Sequence, residues 1–384
     1  MDIRHYFDEI DFSKYHQQGL YQWKYAIGAS IEKTTLAISP DNIQKIDLAI
    51  FGAPFDSRAK NNTSDAPDKI RNELYQLSKP YNNLKIADFG NIKPASSQKG
   101  NYQALRDIVD YFSELNIIVV IIGGGQDLTL GICDAYKNDT YFSLSIVDAL
   151  LDIKKGKETL NSSNYLSRIF NQQSKIFQFS LIGYQSHFFP TELFSKTKGI
   201  NQHLRLGLLR ENFSHIEPMM RNTDVLSFDM GSVKYSESPG SNTRFPNGLH
   251  SEEACQIAKY AGFSNRLKVF GLFEVNTAND RNNQTVGLSA QIIWYFIEGF
   301  SNRIPEDTEN RGNFIIYQVE VKNLDMPVVF LKSRLSNRWW IEIPISNKEP
   351  LYIACSEKEY EHASNNEIPE LWLKYIQKSD EILK

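Results

Sequence analysis

Six consecutive residues, Ile117-Ile-Val-Val-Ile-Ile122, are apolar and β-branched, and the run stops at three glycines, Gly123-Gly-Gly125. A run this short and this uniformly apolar reads as a strand buried on both faces, the signature of the interior of a parallel sheet. Comparable runs recur at Ile46–Phe51, Leu84–Asp88, Ser143–Val147, Ile176–Ile182, Val225–Phe228 and Val269–Phe273. Helical patterns separate them. One starts at Asp65 as a cap, with Pro67 in its first turn and Ile70, Leu74 and Leu77 on one face. Another spans Leu105 to Leu115, and a third has Ser251 as its cap, with Glu252 and Glu253 in its first turn. Strands alternating with helices predict an α/β fold, a three-layer sandwich around a mostly parallel sheet of about eight strands.

Composition narrows the function classes. Hydrophobic residues make up 41% of the 384-residue chain, enough for a large core, and 42 basic against 46 acidic residues leave a net charge of −4. That balance argues against a nucleic-acid surface, which needs a basic face. The N-terminus carries charges where a signal peptide would be apolar, and no run approaches the roughly 20 apolar residues of a membrane span. Cys133, Cys255 and Cys355 are too few and too scattered for a disulfide framework or a thiolate zinc site. The sequence reads as cytoplasmic, with no membrane and no nucleic-acid partner.

Three segments follow from this pattern: a leader over 1–44 with Tyr15, Tyr21, Trp23 and Tyr25, a main domain over 45–300, and an appendage over 301–384. In the appendage Phe314–Val321, Val328–Leu331 and Trp339–Ile343 read as antiparallel strands, and Pro369–Ile376 as a closing helix. The rings of Trp339 and Trp340 point to opposite faces of their strand, which leaves one for packing and one for an edge or a partner.

In a parallel sheet the site lies at the carboxyl ends of the strands. Here those ends carry Asp148, Asp229, Glu274 and, past the glycine triplet, Gln126. Any one such acid could be a turn former; several together suit a cation.

Five motifs run in order: Gly52–Asp56, Gly123–Gly131, Asp148-Ala-Leu-Leu-Asp152, Leu226-Ser-Phe-Asp-Met-Gly231 and Phe273-Glu-Val-Asn276. Together they resemble the ureohydrolases, the family of arginase, agmatinase and formimidoylglutamase, across roughly residues 45–300. The resemblance implies the arginase-like fold and two manganese ions bridged by a hydroxide that attacks a guanidinium or formimino carbon. It also exposes losses. The family's first histidine falls on Gln126, its second on Leu150, and its terminal aspartate on Gly231, while Asp148, Asp152 and Asp229 keep ligand positions. No histidine follows Asp152 where the family's proton shuttle stands. Glu274 and Asn276 match positions that hold the substrate.

The resemblance thus implies metal ligands Asp148, Asp152, Asp229 and Gln126, substrate contacts Glu274 and Asn276, and no assignable catalytic residue. It implies no cofactor or one divalent cation (magnesium, manganese or calcium) rather than two manganese ions. Two functions remain open. One is a pseudoenzyme with a binding or assembly role; the other is a metal-dependent hydrolase of linear amidines. A homo-oligomer is expected from the family, and a protein partner is left open. Without an ion, the three aspartates would hold a proton among them, or Lys154 or Lys234 would turn in.

Overall fold

The computed structural model describes residues 2–8, 10–11, 15, 22–32, 40–57, 62–154, 159–172, 176–188, 190–197, 200–322, 324–345 and 348–382. Tyr21 of the leader lies outside them. Nine strands form the main sheet: β1 (Phe7–Asp8), β2 (Leu48–Ala53), β3 (Ile86–Ile92), β4 (Ile118–Gly123), β5 (Ser143–Val147), β6 (Gln178–Tyr184), β7 (Ile200–Arg205), β8 (Val225–Asp229) and β9 (Val269–Phe273). Their order is β1-β3-β2-β4-β9-β8-β5-β6-β7. The eight from β2 to β9 are mutually parallel, and the two-residue β1 closes one edge antiparallel to β3.

The central strands are apolar at every position because both faces are covered. One face packs Phe51, Val119, Ile121, Leu144 and Phe179 under helices that include Gln98–Glu114 and Tyr165–Gln172. The other packs Ile50, Val120, Leu226 and Phe270 under helices that include Ala66–Leu74, Ser251–Gly262 and Gln284–Ser301. This is the expected three-layer arrangement. β7 escapes sequence reading because Ile-Asn-Gln-His-Leu-Arg is an edge strand with mixed polarity.

Two cap assignments shift. Asp65 sits at the helix start, but its carboxylate makes no capping bond and instead accepts from Thr277 Oγ1 at 2.5 Å and pairs with Lys69 at 2.8 Å. The cap of the later helix is His250, whose amide donates to Glu253 Oε2 at 2.8 Å, while the Ser251 hydroxyl turns to Glu237 at 2.7 Å.

The C-terminal segment forms an antiparallel sheet of β10 (Phe314–Val319), β11 (Val328–Ser333), β12 (Trp339–Ile343) and β13 (Leu351–Cys355). Helices Glu357–Ser364 and Glu370–Ile382 follow. Its small core borrows Phe177 from the main domain. Neither tryptophan is left for a partner. Trp339 stacks on Tyr360 with centroids 4.8 Å apart, and Trp340 lies under the Arg221 guanidinium, 4.6 Å from its ring centre. Asn222 clamps the two sheets, donating to the Ala354 carbonyl and accepting from the Ala354 amide, both at 2.8 Å. The Tyr375 hydroxyl also donates to Gln178 Oε1. Among the described residues no helix is long and apolar enough to cross a membrane.

Candidate active site

Strands β4, β9, β8 and β5 are neighbours at the centre of the sheet and point the same way. Their carboxyl ends therefore bring Gln126, Glu274, Asp229 and Asp148 together, all of them buried. The Asp148 carboxylate accepts from the Leu150 amide at 2.9 Å and shares a hydrogen bond with Asp152. Asp229 Oδ1 accepts from the Gly231 amide at 2.5 Å. Glu274 Oε1 accepts from the Gln126 amide at 2.8 Å, and the Glu274 carboxyl group also hydrogen-bonds the Ser162 side chain. Glu274 holds this position at a φ of +65°, a left-handed conformation that a residue with a side chain rarely takes, and such strain gathers at functional sites.

Burial and mutual repulsion govern the charges. Burial, and then the neighbouring Asp152, holds Asp148 well above the ordinary carboxyl range. Burial, then Asp148 and Glu274, does the same to Asp229. Burial lifts Glu274 to about 7. Burial and mutual repulsion thus push all three carboxyls toward their protonated forms, the direction of the first of the two arrangements expected without an ion. The second is not what the lysines do: Lys154 is exposed, and Lys234 Nζ lies 2.9 Å from His250 Nε2.

Gln126 Nε2 donates to Ser227 Oγ at 3.2 Å, and Gln126 Oε1 is buried without a partner. Asn276 is occupied in shaping its turn: Oδ1 accepts from the amides of Ala278 and Asn279 at 3.0 and 3.1 Å, and Nδ2 donates to Asn242 at 2.6 Å. Sequence reasoning passed over Asp127, which is buried beside Glu274 and held by the hydroxyls of Tyr102 and Ser57. Its place directly after Gln126 was the available signal.

Whether these residues fit manganese is a question of donors. Asp148, Asp152, Asp229 and the unpartnered Gln126 oxygen offer hard oxygen ligands of the kind one magnesium, calcium or manganese ion takes. A second ion finds no such set. Leu150 is apolar, and a Cβ built on Gly231 would collide with Thr243 Oγ1 and lie 2.9 Å from Asp229 Oδ1. The donors for a single ion are present in type but not in arrangement, since among the described residues no group of three or more His, Cys, Asp and Glu side chains is placed to hold an ion. The site does not fit a bridged pair.

A mostly parallel three-layer α/β domain with acids converging at its central strand ends is an arginase-like architecture. Residues 46–298 match the Arginase family, about two thirds of the sequence, and the chain belongs to that family. It is similar to the formimidoylglutamase of Streptococcus gordonii, 22% identical over 315 residues covering 74% of this chain and 95% of the relative. It is also similar to that of Clostridium tetani, 24% identical over 297 residues covering 68% and 88%. Among solved structures, the Trypanosoma cruzi formiminoglutamase with Mn2+ superposes with a TM-score of 0.63 at 20% identity, covering 70% of this chain and 97% of that one. The agmatine ureohydrolase of Thermoplasma volcanium gives 0.57 at 19%, covering 70% and 96%.

Proposed function

We propose that the strand-end cluster takes a linear amidine and that the chain hydrolyses its C–N bond, nearest in chemistry to formimidoylglutamase. The observation that carries this is the buried cluster of Asp148, Asp229 and Glu274, whose carboxyls burial and mutual repulsion hold above their ordinary range and which a bound cation would help to ionise. An amidinium is planar and presents parallel N–H donors, so it pairs with carboxylates two bonds at a time and lets them ionise. Kinship to relatives named formimidoylglutamase supports the same ligand class.

Glu274 is the group suited to proton transfer, since a carboxyl near 7 is matched to neutral pH. In the reaction, water oxygen bonds to the amidine carbon and its proton passes to the Glu274 carboxylate. The C–N bond then breaks and that proton goes to the departing amine. An ion bound by Asp148, Asp152, Asp229 and Gln126 would add polarisation of the attacking water.

A second reading, binding without turnover as a pseudoenzyme, is favoured by Leu150 and by the Thr243 hydroxyl against Gly231. The experiment is incubation with N-formimidoyl-L-glutamate, with and without manganese, scoring glutamate release and thermal stabilisation. Turnover that disappears in Glu274→Gln supports hydrolysis; stabilisation without product supports the second reading. Neither response to formimidoylglutamate, arginine or agmatine would sink both.

A further inference from the structure

Among the described residues the two sheets end on four strands with a neighbour on one side only: β1, β7, β10 and β13. Three of them are blunted in ways that keep edges from pairing. β1 is two residues long, β7 carries Asn201, Gln202, His203 and Arg205, and β13 is held at Ala354 by Asn222. β10 has none of these devices. Phe314-Ile-Ile-Tyr-Gln-Val319 contains no charge and no proline, and its register with β11 is unbroken from Phe314 opposite Ser333 to Val319 opposite Val328. Ile315 and Ile316 are 36% and 38% exposed along it. A regular, apolar, uncharged edge of this length is a template for another strand.

The direction of its free hydrogen-bonding groups is fixed. The Arg334 amide donates to the Asn313 carbonyl at 3.0 Å, so residue 313 faces β11. Backbone direction alternates along a strand, so 315, 317 and 319 face β11 as well. Phe314, Ile316 and Gln318 therefore turn their N–H and C=O groups outward. The side chains alternate too: Phe314 meets Trp340 on one face of the sheet, and Tyr317 stacks on Trp339 on the other.

We infer that β10 pairs with β10 of a second copy of this chain, antiparallel about a two-fold axis through Ile316, joining two four-stranded sheets into one. Outward groups must meet outward groups, which leaves only registers that set even positions against even positions. With the axis at Ile316, Ile316 faces Ile316 of the second copy, Phe314 faces Gln318, and Ile315 faces Tyr317. Each exposed isoleucine is then covered by an apolar or aromatic side chain. Just beyond the strand, Glu320 of one copy comes opposite Gly312, beside Arg311, and Lys322 opposite Asn310, so no like charges are directly opposed. An axis at Tyr317 would set the Glu320 carboxylate against the Phe314 ring, and one at Ile315 would set Arg311 against Val319. The strand offers no charge by which a different partner could be selected, whereas its own sequence completes each contact. It lies beyond residues 46–298, so this interface belongs to the appendage rather than to the part shared with the Arginase family. The inference is independent of the amidine reading.

The test is light scattering on the full chain after gel filtration at about 100 µM, with Ile316→Lys as the disrupting variant. Wild type is expected at twice the mass of one chain. Ile316→Lys is expected at the mass of one chain, with a melting temperature within about 2 °C of wild type because the position is exposed. The register is read by air oxidation of two added cysteines, the native Cys133, Cys255 and Cys355 being buried. Ile316→Cys sets two thiols opposite each other with Cα atoms about 5.5 Å apart and forms a disulfide-linked dimer. Gln318→Cys leaves them about 14 Å apart along the strands and does not. If Ile316→Lys fails to fold, the cysteine pair decides. The inference is overturned if wild type has the mass of one chain or of any multiple other than two. It is overturned equally if folded Ile316→Lys keeps the wild-type mass, or if Ile316→Cys links no better than Gln318→Cys.

Discussion

Thr243 Oγ1 occupies the space into which a side chain on residue 231 would grow, and it donates to the Gly231 carbonyl at 3.2 Å. A side chain at position 231 would therefore have to displace Thr243. Restoring metal ligands requires moving Thr243 as well. Leu150→His with Gly231→Asp is expected to destabilise the chain by about 2 kcal/mol through overpacking. Adding Thr243→Ala should recover that loss and raise manganese affinity at least tenfold, read by metal content after dialysis. A triple variant with wild-type manganese content would count against the placement of both positions.

The elevated Glu274 carboxyl makes stability pH-dependent with a definite sign. Its folded value near 7 exceeds the 4.5 of an ordinary glutamate, so the folded state binds the extra proton. Its contribution is complete below about pH 4.5 and is lost as pH rises through 7, on the order of 3 kcal/mol. Urea denaturation at intervals from pH 4.5 to 8 should show this decline, and Glu274→Gln should make it shallower, the remainder belonging to Asp148 and Asp229.

Asn222 exchanges two hydrogen bonds with one residue of the C-terminal sheet, both in buried surroundings. Asn222→Ala strands the Ala354 amide and carbonyl and is expected to cost about 2–3 kcal/mol. Hydrogen exchange should quicken first in β13 and the two C-terminal helices.

Gly124 tolerates no side chain. A Cβ there would collide with the Phe55 carbonyl oxygen and lie 2.7 Å from its carbon, both backbone atoms that cannot rotate aside. Gly124→Ala should lower stability by about 3 kcal/mol or more and displace Gln126. A melting temperature within 2 °C of wild type would contradict this geometry.

The parallel sheet was legible because double burial leaves a plain mark, uniform apolar runs such as Ile117–Ile122, against β4 at Ile118–Gly123. The strand-end acids stood out for the converse reason, charges placed where apolar runs end. What escaped depends on contacts distant in sequence. Thr243 is twelve residues from Gly231, and nothing local says that it fills the vacated space. β13, Leu-Tyr-Ile-Ala-Cys, has weak alternation because it pairs with β12 on one side and meets Asn222 on the other. His203, on an edge strand with mixed polarity, gave no sign that three aromatic rings would surround it.

Phe177 sits just before β6 yet is buried among Trp339, Tyr375 and their neighbours. The two units therefore have one seam in common, and trimming the chain back to 46–298 would bare that ring together with the Asn222 and Arg221 donors behind it. A version cut to the stretch that matches the family would not be a smaller copy of this protein but an adhesive one, prone to self-association along the surface it had lost.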